Sequence, residues 1–440
     1  MSGAPSSIWS TRITQTTGGP AATFIRQVNL GTPLPFAVKG ICYSPCPIGS
    51  SDNFAAIGDF FWDSYPGTTS WQGTWSQDLP MLQALGINVI RVYSMIAYQN
   101  TNPLSSQIYT HTNFLDACEA AGLYVLVGLP LPIQLFCLGQ TPDPDASWWK
   151  NNIIATVSQM ADHPAVMGFT VANEVDNGAV DTYGPTANAQ YWWGQVQAIA
   201  ALVKQLAPTK LVGIANHDDP GICQNCQSYM AQCPDIDFWG VNSYQPQTLA
   251  PVFGGTTSYP TGYATLTGAA LKPVLLSEYG FPATSRPDAL DPTGIYSDAT
   301  TEGRTATVVA TMIPQAYQQA VCAGVCYFEF CDEWWNQSSY SIAPNASCPD
   351  ATAPDIPAGS DGGGPFAMPN IYTWYGGPIA CGFPNYYWDQ DGFGLYSVAV
   401  GTGRDPANPW DNSTSAPALP LDQRSPRQAV ITALMAGWPR

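Results

Sequence analysis

Glu174 and Glu278 are the residues whose type and setting best suit them to chemistry. Each closes an apolar, β-type run: MGFTVANEV for the first and KPVLLSEYG for the second. A run such as Val166 to Val171 reads as a strand buried on both faces, where an unpartnered ionised carboxylate is strongly disfavoured. Both acids therefore belong at an open strand end. In a parallel α/β barrel the carboxyl ends of the strands carry the active site. Two carboxyls there fit cleavage of a glycosidic bond, one protonating the leaving oxygen while the other attacks or activates water. Helix capping and surface ion pairing are the alternative uses of a strand-end glutamate. Asn173 beside Glu174, and Tyr279-Gly280 after Glu278, favour a tight polar site instead, since a short amide and a turn glycine pack closely around a hydroxylated ligand.

Such a pair needs a rigid frame, and the order of elements supplies one. Apolar or β-branched runs fall near 37–43, 88–93, 123–129, 165–172, 210–215, 236–242, 273–277 and 324–330. Between them lie helical periodicities, two of which end on glycine just before the next strand, at Gly86 and Gly122. Longer helical patterns cover 147–161, 187–206 and 302–320, and a last one runs from Pro426 to Trp438. Eight β-α alternations predict an α/β fold, a (β/α)8 TIM barrel over 37–440. An open doubly wound sheet would place a glycine-rich fingerprint after the first strand, where this chain has Tyr43-Ser44-Pro45-Cys46-Pro47. Residues 1–36 read as an N-terminal hairpin turning at Gly18-Gly19-Pro20 and capping the barrel floor. Residues 332–424, rich in Pro, Gly, Trp and Tyr, form a long insertion between strand eight and the last helix, expected to be an ordered lid or cleft wall.

Composition narrows the partners. A net charge of −18, from 14 basic and 32 acidic residues, argues against nucleic acid and anionic membrane surfaces. The 15 Trp, 22 Tyr and 16 Phe suit stacking on sugar rings, although most must fill the core. No apolar run is long enough for a membrane span. The start, Met1 to Ser7, lacks the basic and apolar regions of a secretion leader, whereas 12 cysteines and few lysines point outside the cell. Cys223, Cys226 and Cys233, and Cys322, Cys326 and Cys331, are read as local disulfides rather than a zinc site, because no second CxxC stands at ribbon spacing.

The ordered motifs resemble those of the (β/α)8 retaining glycosidases that carry Asn-Glu after strand four and a nucleophilic Glu after strand seven. Within that clan the chain is most similar to the β-1,3-glucanosyltransferases, glycoside hydrolase family 72. The stretches that carry the likeness are FAVKGICY from Phe36, DLP from Asp78 through GINVIRVY ending at Tyr93, ANEVDN from Ala172, DFWGVNSY from Asp237 and LSEYG from Leu276. Together they span roughly 36–335.

That resemblance implies a double displacement. Glu278 attacks the anomeric carbon, and Glu174 protonates the leaving oxygen and then deprotonates the acceptor, so Glu174 rests protonated and Glu278 ionised. Asn173 is expected to bond the sugar 2-hydroxyl and Tyr244 to hold the nucleophile. Arg91 either stabilises ionised Glu278 or forms a structural ion pair. Tyr43, Tyr93 and Tyr279 are expected as subsite contacts, with core or rim positions as the alternative. Trp334 or Trp335 is expected as a sugar platform, Glu329 or Glu333 as a hydroxyl contact or loop ion pair, and His217-Asp218-Asp219 on the same face. Departures from the family pattern are Ser44 in place of Gln, Phe281 in place of Cys, and a missing acid after the Arg-Val-Tyr stretch.

The expectation is a retaining hydrolase or transglycosylase of β-linked glucan, β-1,3 first. A hydrolase of mannan or β-1,4-glucan, or a catalytically silent carbohydrate-binding barrel, are the alternatives. No cofactor and no catalytic metal are expected. The partner is a polysaccharide or oligosaccharide, the state monomeric, and the location extracellular or cell-wall associated.

Overall fold

A computed structural model of the chain describes residues 7–48, 59–63, 72–97, 108–139, 146–176, 186–218, 227–229, 232–284, 299–333, 338–339, 374–375, 392–405 and 419–439. Three strands come first: β1 (Ser7–Thr16), β2 (Gly19–Val28) and β3 (Leu34–Phe36) form a small antiparallel sheet in that order. The expected hairpin is there, with Gly19 at φ +113° in the turn, and a third strand extends it. It lies beneath the barrel: Trp9 N–H donates to Thr209 O at 2.8 Å and Ala22 N–H to Ala320 O at 3.0 Å. Trp9 meets Tyr124, and Phe24 meets Phe238, edge to face at 4.9 and 5.3 Å.

Eight parallel strands then close into a barrel. They are β4 (Val38–Cys42), β5 (Val89–Val92), β6 (Tyr124–Leu129), β7 (Val166–Asn173), β8 (Leu211–His217), β9 (Phe238–Asn242), β10 (Val274–Tyr279) and β11 (Cys322–Tyr327). Neighbours in sequence are neighbours in the barrel, and β11 closes on β4. All eight expected strands are present within a few residues of their predicted bounds. Their continuous apolar character follows from burial on both faces, against the barrel interior and the surrounding helices.

The main helices are α1 (Gln72–Ala84), α2 (Thr112–Ala120), α3 (Ala146–Met160), α4 (Thr186–Leu206), a short α5 (Ala250–Phe253), α6 (Ala299–Gln318) and α7 (Gln428–Gly437). Gly86 and Gly122, at φ +70° and +72°, turn the chain from α1 and α2 into the next strand, a conformation that costs glycine little. The last helix completes the ring, with Trp438 Nε1 donating to Leu85 O at 3.1 Å and its ring set against Tyr317.

Much of the 332–424 insertion lies outside the described residues, including Trp334, Trp335, Tyr386, Tyr387 and Trp388. Within it, β12 (Ser338–Ser339) pairs in parallel with β13 (Trp374–Tyr375). The return of the chain is anchored firmly. Strands β14 (Tyr396–Ala399) and β15 (Gln423–Pro426) pair antiparallel. Arg427 grips Asp332 through two hydrogen bonds of 2.6 and 2.7 Å, and Arg424 grips Asp78 at 3.1 and 3.2 Å. Such paired, buried charges fix position rather than add much net stability.

The expectation of local disulfides among Cys322, Cys326 and Cys331 is corrected. Cys42, Cys118, Cys137, Cys233, Cys322, Cys326 and Cys331 are free thiols, and Cys223 and Cys226 lie outside the described residues. The reason is geometric. Cys322 and Cys326 sit four residues apart on one strand, roughly 13 Å at ordinary strand rise. A disulfide tolerates at most about 7 Å between Cα atoms.

Candidate active site

The carboxyl ends of β5, β7, β9 and β10 bring one buried cation and two acids together. Arg91, on β5, is 1% exposed, so its guanidinium must be satisfied within the protein. Its Nη1 donates to Glu278 Oε1 at 2.8 Å and to Ser277 O at 2.9 Å, and its Nη2 to Asn173 Oδ1 at 2.6 Å. Tyr93 O–H donates to the same Glu278 Oε1 at 2.7 Å, and Tyr244 O–H donates to Oε2. Three donors thus converge on Glu278, a set that the ionised, acceptor-only carboxylate satisfies. Arg91 and Tyr244 stand on the nucleophile as the sequence suggested, whereas Tyr93, expected as a subsite contact, also donates to it.

Glu174 is held differently. It follows β7 where the strand leaves its ladder, with a register shift between Thr170 and Asn173. Ala172 and Glu174 take left-handed backbone, φ +65° and +50°, which non-glycine residues adopt only when their surroundings impose it. Glu174 N–H is pinned to Ala215 O at 2.8 Å, and its Oε1 accepts one bond, from Asn242 Nδ2 at 2.9 Å. Burial first, and then the charge of Glu278, push the Glu174 carboxyl up to about 7. One acid is fed by a cation and two phenols; the other is desolvated and faces a negative neighbour.

Asn173 sits between them. Its Oδ1 accepts from Arg91 and, at 2.9 Å, from Asn242, which leaves its N–H2 to the cleft. This orientation suits the expected donation to a sugar hydroxyl. On the next strand end, His217 N–H donates to both Asp176 carboxylate oxygens, and when charged its ring opposes the upward push on Glu174. Asp218 accepts from Ser243 and Gln245 side chains at 2.9 and 2.8 Å.

Two expected subsite tyrosines are corrected. Tyr43 is 1% exposed and its hydroxyl donates to Asp78 at 2.9 Å, so it braces the anchor of the insertion. Tyr279 is fully buried, with its hydroxyl donating to Gln245 O at 3.1 Å and its ring against Phe281. Glu329 is also no sugar contact: it is fully buried, and burial first, with Glu333 beside it, holds it well above the usual carboxylate range. Trp334, the expected platform, lies outside the described residues.

Sequence reasoning missed four residues. Phe328, immediately after β11, stands edge-on to Tyr93 and Tyr244 at 6.5 and 6.0 Å and so braces both phenols that grip Glu278. Phe393 of the insertion packs on Phe328 and Tyr244 at 5.4 and 5.5 Å, which places the insertion in the wall of the site. Gly280 permits this approach, since a Cβ there would fall 1.8 Å from Phe328 O. Asn242 and Ser277 are the others. Their signal was a polar residue closing or interrupting an otherwise apolar strand, a pattern that also marks ordinary strand ends.

Against known proteins, the model of a family described as glucanosyltransferase, in the glycoside hydrolase series 72, matches residues 23–336. The 1,3-beta-glucanosyltransferase GAS4 of Saccharomyces cerevisiae is 27% identical over 271 residues, covering 58% of this chain and 50% of that protein. GAS5 of the same yeast is 28% identical, covering 56% and 45%. The chain therefore spans about half the length of the curated relatives it matches. A Bacteroides uniformis beta-glucuronidase 2 structure aligns at 15% identity and a TM-score of 0.43, covering 71% of this chain and 34% of that one. The barrel assignment rests on the closed strand order itself.

Proposed function

The chain belongs to the glucanosyltransferase family, and on that premise we propose that it is a retaining enzyme of β-linked glucan, with β-1,3-glucan as its substrate. The observation that carries this reading is the unequal treatment of two acids at one barrel mouth: Glu278 with three donors, Glu174 desolvated and pushed up to about 7. A double displacement needs that inequality.

In the first step a Glu278 oxygen attacks the anomeric carbon. The bond to the leaving sugar oxygen breaks as that oxygen takes the Glu174 proton. Asn173 N–H2 holds the 2-hydroxyl of the reacting ring, and the Tyr244 and Tyr93 bonds to Glu278 weaken as its charge is neutralised by the new bond to the anomeric carbon, the net negative charge ending on Glu174. In the second step Glu174, now ionised, takes a proton from an acceptor hydroxyl or from water, which attacks the same carbon and frees Glu278. Transfer and hydrolysis share the intermediate, and the relative capture by sugar and by water decides between them. No cofactor enters either step.

The barrel, 37–440, serves in this reading as one catalytic domain acting as a monomer, with 1–36 as its N-terminal extension. The substrate lies outside the cell or in the cell wall, and the enzyme is assigned there with it. Among the described residues no helix is long and apolar enough to cross a membrane.

Reduced laminari-oligosaccharides, run beside cello- and manno-oligosaccharides, test the substrate. Products longer than the laminari donor are expected; turnover confined to the cello or manno series would reject β-1,3-glucan. The pH profile tests the roles. Glu174 must carry its proton in the first step, so that form is present below about 7 and lost above it. Glycosylation from an unactivated glucan is expected to fall tenfold per pH unit on the alkaline side, beginning near neutrality; a profile flat to pH 9 would remove Glu174 as the acid.

A further inference from the structure

The hydrogen bonds around Arg91 have a direction that can be read without ambiguity. A guanidinium only donates, so Asn173 must present Oδ1 to Arg91 Nη2. The second contact to that oxygen must then be a donor, which makes the Asn242 atom at 2.9 Å its Nδ2. The same Nδ2 lies 2.9 Å from Glu174 Oε1. Asn242 Oδ1 is left as an acceptor, and Ser277 Oγ donates to it at 2.7 Å. Asn242 and Ser277 are 1% and 0% exposed, so water does not compete for these bonds. A single carboxamide on β9 thereby ties the strand of the nucleophile, through Ser277, to the acid and to Asn173 at the end of β7.

We propose that Asn242, oriented by Ser277, is a positioning residue: it occupies Glu174 Oε1 as a donor, so that the transferable proton sits on Oε2, and it fixes Asn173 with N–H2 toward substrate. This deepens the glucan-cleaving function proposed above and rests on it. A hydroxyl Oε1 is a poorer acceptor than a carbonyl Oε1, so a proton on Oε2 keeps the 2.9 Å Asn242 bond at its strongest. After the proton has gone to the leaving oxygen, the same N–H meets the new carboxylate, a charge-assisted bond stronger than the one before transfer. Asn242 thus favours the product of each proton donation. It also limits how far burial raises Glu174, since a donor to the ionised form opposes desolvation.

The test separates this role from the reading beneath it. The chain has six glutamates, so carboxyl-labelled glutamate gives a spectrum in which Glu174 is assigned by its loss in Glu174→Gln. In Asn242→Ala the Glu174 titration midpoint is expected to move up by about one pH unit, a tenfold change in its proton affinity. Ser277→Ala, which leaves the carboxamide but unfastens it, is expected to move the midpoint the same way by less, and it decides the matter should Asn242→Ala fail to fold. An unchanged or lowered midpoint in the folded variant overturns the proposal. This readout needs no substrate, so it stands even if the wild-type protein leaves laminari-oligosaccharides untouched, the result that would sink the substrate assignment instead. With turnover in hand, Asn242→Ala is expected to lose on both substrates through Asn173 but roughly tenfold more on glucan than on a dinitrophenyl glycoside, whose leaving group needs no proton. Equal losses on both would mark Asn242 as merely structural.

Discussion

Glu278→Ala is expected to lower glucan turnover by roughly four orders of magnitude or more, because no neighbouring group can take over attack on the anomeric carbon. The remaining cavity would be lined by Arg91, Tyr93 and Tyr244, all donors, and would attract a small anion. Added azide should therefore restore turnover of a dinitrophenyl glycoside and yield the glycosyl azide of inverted configuration. The same substitution strips Arg91 of its carboxylate partner, and breaking a buried pair costs about 3–5 kcal/mol. Thermal melting must accompany the kinetics for that reason. A folded Glu278→Ala protein with substantial glucan turnover, measured by reducing-end release, would exclude Glu278 as nucleophile.

The second large effect belongs to Glu174→Gln. General acid assistance is worth roughly 10² to 10⁴ in rate, and glutamine keeps the shape while losing the proton. Turnover of laminari-oligosaccharides is expected to fall within that range. Formation of the glycosyl-enzyme from a dinitrophenyl glycoside should persist, followed by slow release, because the second step lacks its base. The alkaline decline near pH 7 should vanish from the glycosylation step of this variant. Equal loss on both substrates would instead point to a damaged site, with Asn242 and its bond to Glu174 Oε1 the first place to look.

The frame and the two acids were legible in the chain because strong physical constraints leave few readings. Eight apolar runs long enough for strands but too short for buried helices, two of them preceded by glycine-stopped helices, leave little but a closed parallel barrel. Arg91 in the middle of NVIRVY was legible for a related reason: a cation in a buried strand requires an anionic partner, and strand-end acids supply it.

Side-chain direction was far less legible. Strands covered on both faces show no polar alternation, so nothing local distinguishes Tyr93 and Tyr244, which reach Glu278, from Tyr43 and Tyr279, whose hydroxyls hold Asp78 and Gln245. Phe328, just before the long insertion, meets Phe393, near its far end, a contact that no spacing rule reports. The cysteines carried a usable signal. Residues spaced along one extended strand cannot bridge one another, and strand eight, beginning two residues earlier than the sequence reading placed it, holds both Cys322 and Cys326.

Trapping of the covalent intermediate is the most direct measurement of the mechanism. The protein is incubated with a 2-deoxy-2-fluoro laminari-oligosaccharyl fluoride, and intact mass and peptide mapping follow. A single added fluoroglycosyl group on Glu278, reduced or absent in Glu278→Ala, is the expected result. A label on another carboxylate, or cleavage with inversion at the anomeric carbon and no label, would contradict a retaining reaction through Glu278.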